Sequence, residues 1–166
     1  MRLRVGQGFD AHRLVAGRPL RLGGVAIPHD QGLAGHSDGD VLLHAIARAL
    51  LGALAAGDLG EHFPSSDPRW RDAESAVFVR EAARRVAEQG LAVTNLDATV
   101  IAEAPRLAPH QDAMRRQIAS LLGAPLADVS LQITSTDGLG AIGRGEGIAA
   151  QAVVLLAEDP GSGAGA

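Results

Sequence analysis

The sequence predicts an α+β domain, a mixed β-sheet with helices packed on one face, and three observations carry that expectation. The chain has 166 residues, 46% of them hydrophobic and 20% charged, enough for one domain with a real core. Only 2% are aromatic, so the core is built from Leu, Val, Ile and Ala. Apolar residues recur with period two in some stretches and with helical period in three others, without the strict alternation of a parallel βαβ fold.

Each element follows in order. RLRVGQGF alternates as a first strand, and LRLGGVAIP as a second with a glycine break. From Ser37 to about Ala56, Val41, Leu42, Ala45, Ile46, Ala49 and Leu50 fall at helical spacing, and Gly57 supplies a stop. Ser37, Asp38 and Asp40 compose its start, as cap and first-turn acids. DLGEHFPSSDPRWRD reads as a surface loop, and AESAVFVREAARRVAEQ as a helix ended by Gly90. LAVTNLDATVIAEA is strand-like, APRLAPH a loop, QDAMRRQIASLLG a third helix, VSLQITST a strand and GIAAQAVVLLA the last strand. Neither a repeat nor a linker interrupts the chain, so residues 1–158 are expected to form a single domain and 159–166 a flexible tail. One side of the helical segments carries less charge than a lone domain needs, which allows an oligomer.

Several function classes are excluded. A net charge of −4 lacks the basic face of a nucleic-acid binder. No cysteine is present, so disulfides and thiolate zinc sites are absent. No signal core or 18-residue apolar run is visible, and a cytoplasmic protein without membrane contact is expected. GLGAIG at 138–143 matches the dinucleotide fingerprint, but a strand-like run follows it where a helix is needed, so its glycines serve turns and close approach. No nucleophile elbow or phosphate-binding P-loop is found.

The chemistry concentrates in GHSDGDVLLHA (35–45) and GFDAH (8–12). A cap explains the acids of the first stretch but not His44, one turn after Asp40. Asp10 and His12 stand two apart on a strand and leave the same face. One carboxylate and two imidazoles can converge with a fourth position open, as at a catalytic zinc or at a non-haem iron. Asp40 is then a candidate to orient His44 from behind.

In order and spacing, GFDAH, HSDGDVLLHA, GDLGEHFP, EAPRLAPH, TSTDGLG and GRGEG resemble the 2-C-methyl-D-erythritol 2,4-cyclodiphosphate synthase family from about Gly8 to Gly147. The resemblance implies a homotrimer with active sites between subunits, forming the cyclic diphosphate and CMP from 4-diphosphocytidyl-2-C-methyl-D-erythritol 2-phosphate. It places zinc, one ion per subunit, on Asp10, His12 and His44, and a second divalent cation, Mg²⁺ or Mn²⁺, on Asp137. His36 and Ser37 match contacts to substrate phosphate, and His36 and Ser135 the groups that support the transition state. Asp58, Leu59 and Gly60 match the sugar-contact region, and Phe63, Pro64, Ser65, Ser66 and Asp67 the loop over the methylerythritol. Ala102, Glu103, Ala104, Pro105, Arg106, Leu107 and Ala108 match the cytosine pocket. Thr134 and Thr136 flank Ser135 in the diphosphate region, and Ala141, Arg144 and Glu146 fall near the trimer axis.

The sequence departs from the family pattern at several positions. Ser65 replaces an aspartate, Asp137-Gly138 a Glu-Lys pair, Ala141 a phenylalanine, Arg106 a lysine, Glu103 a glutamine and Arg48 an aspartate. A non-catalytic, zinc-stabilised trimer that binds nucleotides is the alternative these departures raise. An iron-dependent oxygenase on the same triad lacks an all-β pattern and a cosubstrate site.

Overall fold

Strand β1 (Leu3–Ala16) opens the chain and runs well past the stretch its alternation suggests, because it pairs with two partners in succession. The computed structural model describes residues 2–159, so all but the first residue of the expected tail lies outside them. Asp159 donates its N–H to the Gly90 carbonyl at 2.9 Å. The main sheet has the order β4-β1-β7-β5-β6, with β4 (Gln31–Leu33), β5 (Leu91–Ile101), β6 (Val129–Thr134) and β7 (Gly147–Glu158). β1 is antiparallel to both β4 and β7, β5 is antiparallel to β7, and β5 pairs with β6 in parallel, which makes the sheet mixed as expected. A parallel pair needs a crossover, and α4 (Gln111–Leu122) supplies it. Gly123, with φ of 65°, ends that helix in the left-handed conformation glycine permits.

The expected second strand is a hairpin, β2 (Leu20–Leu22) and β3 (Val25–Ile27), folded at Gly23-Gly24 into a sheet of its own. The helix expected from Ser37 begins later, as α1 (Val41–Ala53), capped by Asp40 rather than Ser37. Gly39 explains the difference: its φ of 76° turns the chain out of the right-handed region. The stretch read as loop contains the short α2 (Leu59–His62) and a 3₁₀ turn at Pro68–Trp70. α3 (Ala76–Glu88) follows as predicted, and GLGAIG forms the single turn α5 (Gly140–Gly143). A Cβ on Gly143 would fall 2.1 Å from the Gly138 carbonyl carbon, so this glycine serves close approach and not a dinucleotide.

α1 is buried almost all round, leaving only Arg48 and Gly52 partly or fully accessible. It lies between the sheet and α3, and its Ala45, Ala49 and Ala53 meet Gly6 and Gly8 of β1. The inward residues of the sheet, among them Leu96, Val100, Ala150, Val154 and Leu156, are inaccessible and complete an aliphatic core. The opposite sheet face is different. Leu3, Val5, Phe9 and Val153 are exposed there, so most of the exposed large apolar side chains lie on the sheet, with Val77 on α3 and Leu139 before α5 besides.

Candidate metal centre and adjoining cavity

The alternation of β1 sends Gly6, Gly8, Asp10 and His12 to one face, the face that α1 covers. Because the two glycines have no side chains, the helix backbone comes close enough for His44 to reach its strand partners. His12 Nε2 lies 2.9 Å from Asp10 Oδ2 and 3.1 Å from His44 Nδ1, and His44 Nδ1 lies 3.0 Å from Asp10 Oδ2. Asp10, His12 and His44 are the one set of at least three such side chains, among the described residues, that could hold a metal ion.

The set fits such an ion. Zinc bonds of about 2.1 Å in tetrahedral arrangement place ligand atoms roughly 3.4 Å apart, so these three need open by only a few tenths of an ångström. Both imidazoles are also held from behind, as metal-bound histidines are. His12 Nδ1 donates to the Ala34 carbonyl, and His44 Nε2 lies 2.8 Å from Ser75 Oγ and 3.1 Å from Ser37 Oγ. Asp40 does not orient His44 as expected. Its carboxylate accepts from the N–H groups of Leu43, Gly23 and Gly24 at 3.0, 3.0 and 2.7 Å. Burial pushes its carboxyl up, against those bonds.

Electrostatics within the triad point the same way. Burial raises the Asp10 carboxyl, but hydrogen bonds from His12 and His44, with their charges, outweigh it and hold Asp10 well below the carboxylate range. The bond to Asp10 pushes the His12 imidazole up, against burial. Positive charge is thus favoured between these groups, which a divalent cation supplies in place of a proton.

The triad forms the floor of a cavity of about 230 Å³, also lined by His36, Ser37, Arg48, Leu59, Gly60, Phe63, Ser65, Trp70 and Phe78. Among the described residues, the buried His36 Nε2, Arg48 Nε and Trp70 Nε1 have no hydrogen-bond partner. Phe63, Trp70 and Phe78 cluster with centroids 4.5 to 5.8 Å apart, and Phe78 lies 5.8 Å from the His44 ring. Asp58 caps α2 by accepting from Glu61 N–H at 3.0 Å, and Asp67 pairs with Arg69 in the loop beyond. A larger hollow of about 450 Å³ lies beside α4 and β6. Its Arg115 is held by the carbonyls of Val129 and Leu126, and no expected site residue lines it.

The remaining expected residues gather elsewhere. Glu103 Oε1 accepts from Thr136 N–H at 3.0 Å, Thr136 Oγ1–H at 3.3 Å and Gly138 N–H at 3.3 Å, which joins the loop of Ala102–Ala108 to that of Thr134–Asp137. Bonds from Gly138 and Thr136 lower its carboxyl. Ser135 Oγ lies 3.3 Å from Asp137 Oδ1, and Asp137 holds a left-handed φ of 52°. None of these residues lines the cavity above the triad. Val100 of β5 and Asp10 of β1 both pair with Ala150 between them, so the loops start about 10 Å from the triad. Ala141 lines a third hollow with Glu146, and Arg144 Nε donates to Glu146 at 2.6 Å.

Sequence reasoning missed Ser75, Trp70, Phe78 and Arg48 at the site. Only Arg48 had a local signal, one turn after His44 on the same helix; the others arrive by tertiary contact.

Known proteins resemble this chain in sequence and in fold. The model of the YgbB family matches residues 3–157. A Moorella thermoacetica protein named 2-C-methyl-D-erythritol 2,4-cyclodiphosphate synthase is 58% identical over 154 residues, 93% of this chain and 94% of its own length. A 2C-methyl-D-erythritol-2,4-cyclodiphosphate synthase solved in a CDP-bound form superposes with a TM-score of 0.86 at 41% identity, covering 93% of this chain and all of that one. The bifunctional IspDF from Campylobacter jejuni gives 0.89 at 39% identity, where 93% of this chain matches 42% of the longer one.

Proposed function

The chain belongs to the YgbB family, in which relatives carry the name of a cyclodiphosphate synthase, and from that premise we propose the reaction it performs. It converts 4-diphosphocytidyl-2-C-methyl-D-erythritol 2-phosphate to 2-C-methyl-D-erythritol 2,4-cyclodiphosphate and CMP, as a cytoplasmic phosphorus–oxygen lyase of non-mevalonate isoprenoid synthesis. The observation that carries this is the convergence of Asp10, His12 and His44 beneath a cavity where His36 Nε2 has no partner.

In this reading the substrate's own 2-phosphate is the nucleophile, ionised near neutral pH, so no serine nucleophile is required. Its oxygen bonds to the β-phosphorus as the bond from that phosphorus to the CMP oxygen breaks, and CMP leaves with the electron pair. Asp10, His12 and His44 hold zinc, one ion per subunit, and Asp137 holds a second divalent cation, Mg²⁺ or Mn²⁺. When bound, zinc polarises the β-phosphate and the second cation offsets charge on the leaving CMP. His36 and Ser135 donate to the phosphoryl oxygens, and Ser37 stands on the cavity wall beside the phosphate. Asp58, Leu59, Gly60 and the loop Phe63–Asp67 orient the sugar and methylerythritol, and Ala102–Ala108 receive the cytosine.

The protein works as a homotrimer with its sites between subunits. Two findings support this. The cytosine and diphosphate loops do not line the cavity of their own triad, and the outward face of β1 and β7 carries exposed apolar side chains, with Val5 67% and Phe9 53% exposed.

Incubating the purified protein with the cytidyl substrate, zinc and magnesium tests the reaction directly. CMP and cyclic diphosphate are expected by phosphorus NMR, and absence of both overturns it. Nucleotide binding without either product favours the non-catalytic trimer. His44→Ala is expected to lose zinc and turnover while the assembly persists by light scattering. A zinc-replete, active His44→Ala protein would show that the ligand set is wrong.

A further inference from the structure

Ser75 sits at the N-cap of α3, where a serine ordinarily accepts a hydrogen bond from the helix's first N–H groups, and it makes no such bond. Its polar groups turn to another segment. Ser75 N–H donates to Asp38 Oδ2 at 3.1 Å, its hydroxyl donates to Asp38 Oδ1, and the same Oγ lies 2.8 Å from His44 Nε2. Ser75 has no accessible surface. Asp38 is fixed in turn: it accepts from Asp40 N–H at 3.1 Å, and its own N–H donates to the Ala73 carbonyl at 3.0 Å.

The proton order in this chain follows from donor and acceptor character. The Ser75 hydroxyl proton is committed to Asp38 Oδ1, and an oxygen lone pair is left for His44. With a metal ion in place of the proton between Nδ1 and Asp10, His44 would carry its remaining proton on Nε2, facing Ser75, and its Nδ1 lone pair would face Asp10 and His12. Ser37 Oγ also lies near Nε2, at 3.1 Å, but its hydroxyl has no carboxylate behind it among the described residues. A residue at a helix start that forgoes its cap to hold a buried imidazole is the local departure expected at a functional site.

We propose that Ser75, backed by Asp38, is a positioning residue that fixes the tautomer and ring plane of His44 for metal binding. The proposal rests on the metal reading of the triad. Through it, the start of α3 and the segment before it are coupled to the metal centre. Asp72 N–H also donates to the His36 carbonyl at 2.8 Å, a second tie between these two stretches.

Chelator competition with zinc on the full chain, and the visible spectrum of the cobalt(II)-loaded protein, test it. Ser75→Ala is expected to weaken zinc binding by about 10- to 100-fold and to shift the cobalt bands, at a temperature where the metal-free variant is folded by circular dichroism. Asp38→Asn, which keeps an acceptor oxygen for the serine hydroxyl, is expected to bind zinc more tightly than Ser75→Ala. Ser75→Ala with the parent's zinc affinity and unshifted cobalt bands overturns the proposal, even if its melting temperature falls. A parent protein that takes up no zinc overturns the metal reading itself, and this proposal with it.

Discussion

Gly6 and Gly8 face α1 across a gap that admits no side chain: a Cβ on Gly8 would fall 2.0 Å from the Ala45 carbonyl oxygen and 2.7 Å from the Ala49 nitrogen. Both atoms belong to helix backbone, which cannot swing aside as a side chain can. Gly8→Ala therefore has to move α1 off β1 by roughly 1 Å, and overpacking of this kind costs about 3 kcal/mol. The same displacement carries His44 away from Asp10 and His12. We expect the variant to unfold at lower urea concentration and to bind zinc at least tenfold more weakly. Unchanged zinc affinity would show that helix placement does not set the ligand geometry. The triad was legible in the sequence because each member has a local reason: D-x-H spacing puts two ligands on one strand face, and His44 breaks an apolar helical run. Ser75 and Trp70 were not legible, since Ser75 meets His44 from 31 positions away and Trp70 joins the cavity wall by packing on Phe63 and Phe78, and no period encodes such contacts.

At the scale of elements, Asp40 joins the β2–β3 hairpin to the start of α1. One carboxylate serves three N–H donors, from Leu43 at the helix start and from Gly23 and Gly24 at the hairpin turn. Three oxygen-bearing residues, Ser37, Asp38 and Asp40, compete for the cap in the sequence, and composition alone cannot choose among them. The choice falls to Asp40 because Gly39 turns the chain just before it, while Ser37 and Asp38 face His44 and Ser75. The hairpin was hidden for a similar reason: a glycine pair reads as a break in one strand until something is seen to hold the turn. Asp40→Ala removes a cap worth about 1 kcal/mol and leaves buried donors unpaired at about 1–3 kcal/mol each. A loss on the order of 3–5 kcal/mol in denaturant unfolding is expected, with a larger loss than for Ser37→Ala. Equal stability in both variants would put the cap back at Ser37.

For the whole molecule, the question is where one subunit's site ends. The triad and the loops of Ala102–Ala108 and Thr134–Asp137 stand at one end of the sheet but are separated by β7, and they line different surfaces. The trimer came to the sequence reading from the family resemblance. The chain itself showed only spare apolar surface, which the fold moves from the helices to the outer face of β1 and β7. If each site pairs the triad of one subunit with the loops of its neighbour, two inactive variants can complement one another. His44→Ala lacks a working triad, and Ser135→Ala with Asp137→Ala lacks the working loop. In trimers reassembled from equal amounts, a site is intact when an unaltered triad from one variant meets an unaltered loop from the other. Each condition holds half the time, so about a quarter of the parent's activity should return. Sites confined within single chains would each contain one defect, and mixing would restore nothing. Recovery near a quarter, with light scattering at three chain masses, would establish shared sites, whereas a mixture as inactive as its parts would place the whole reaction within one subunit.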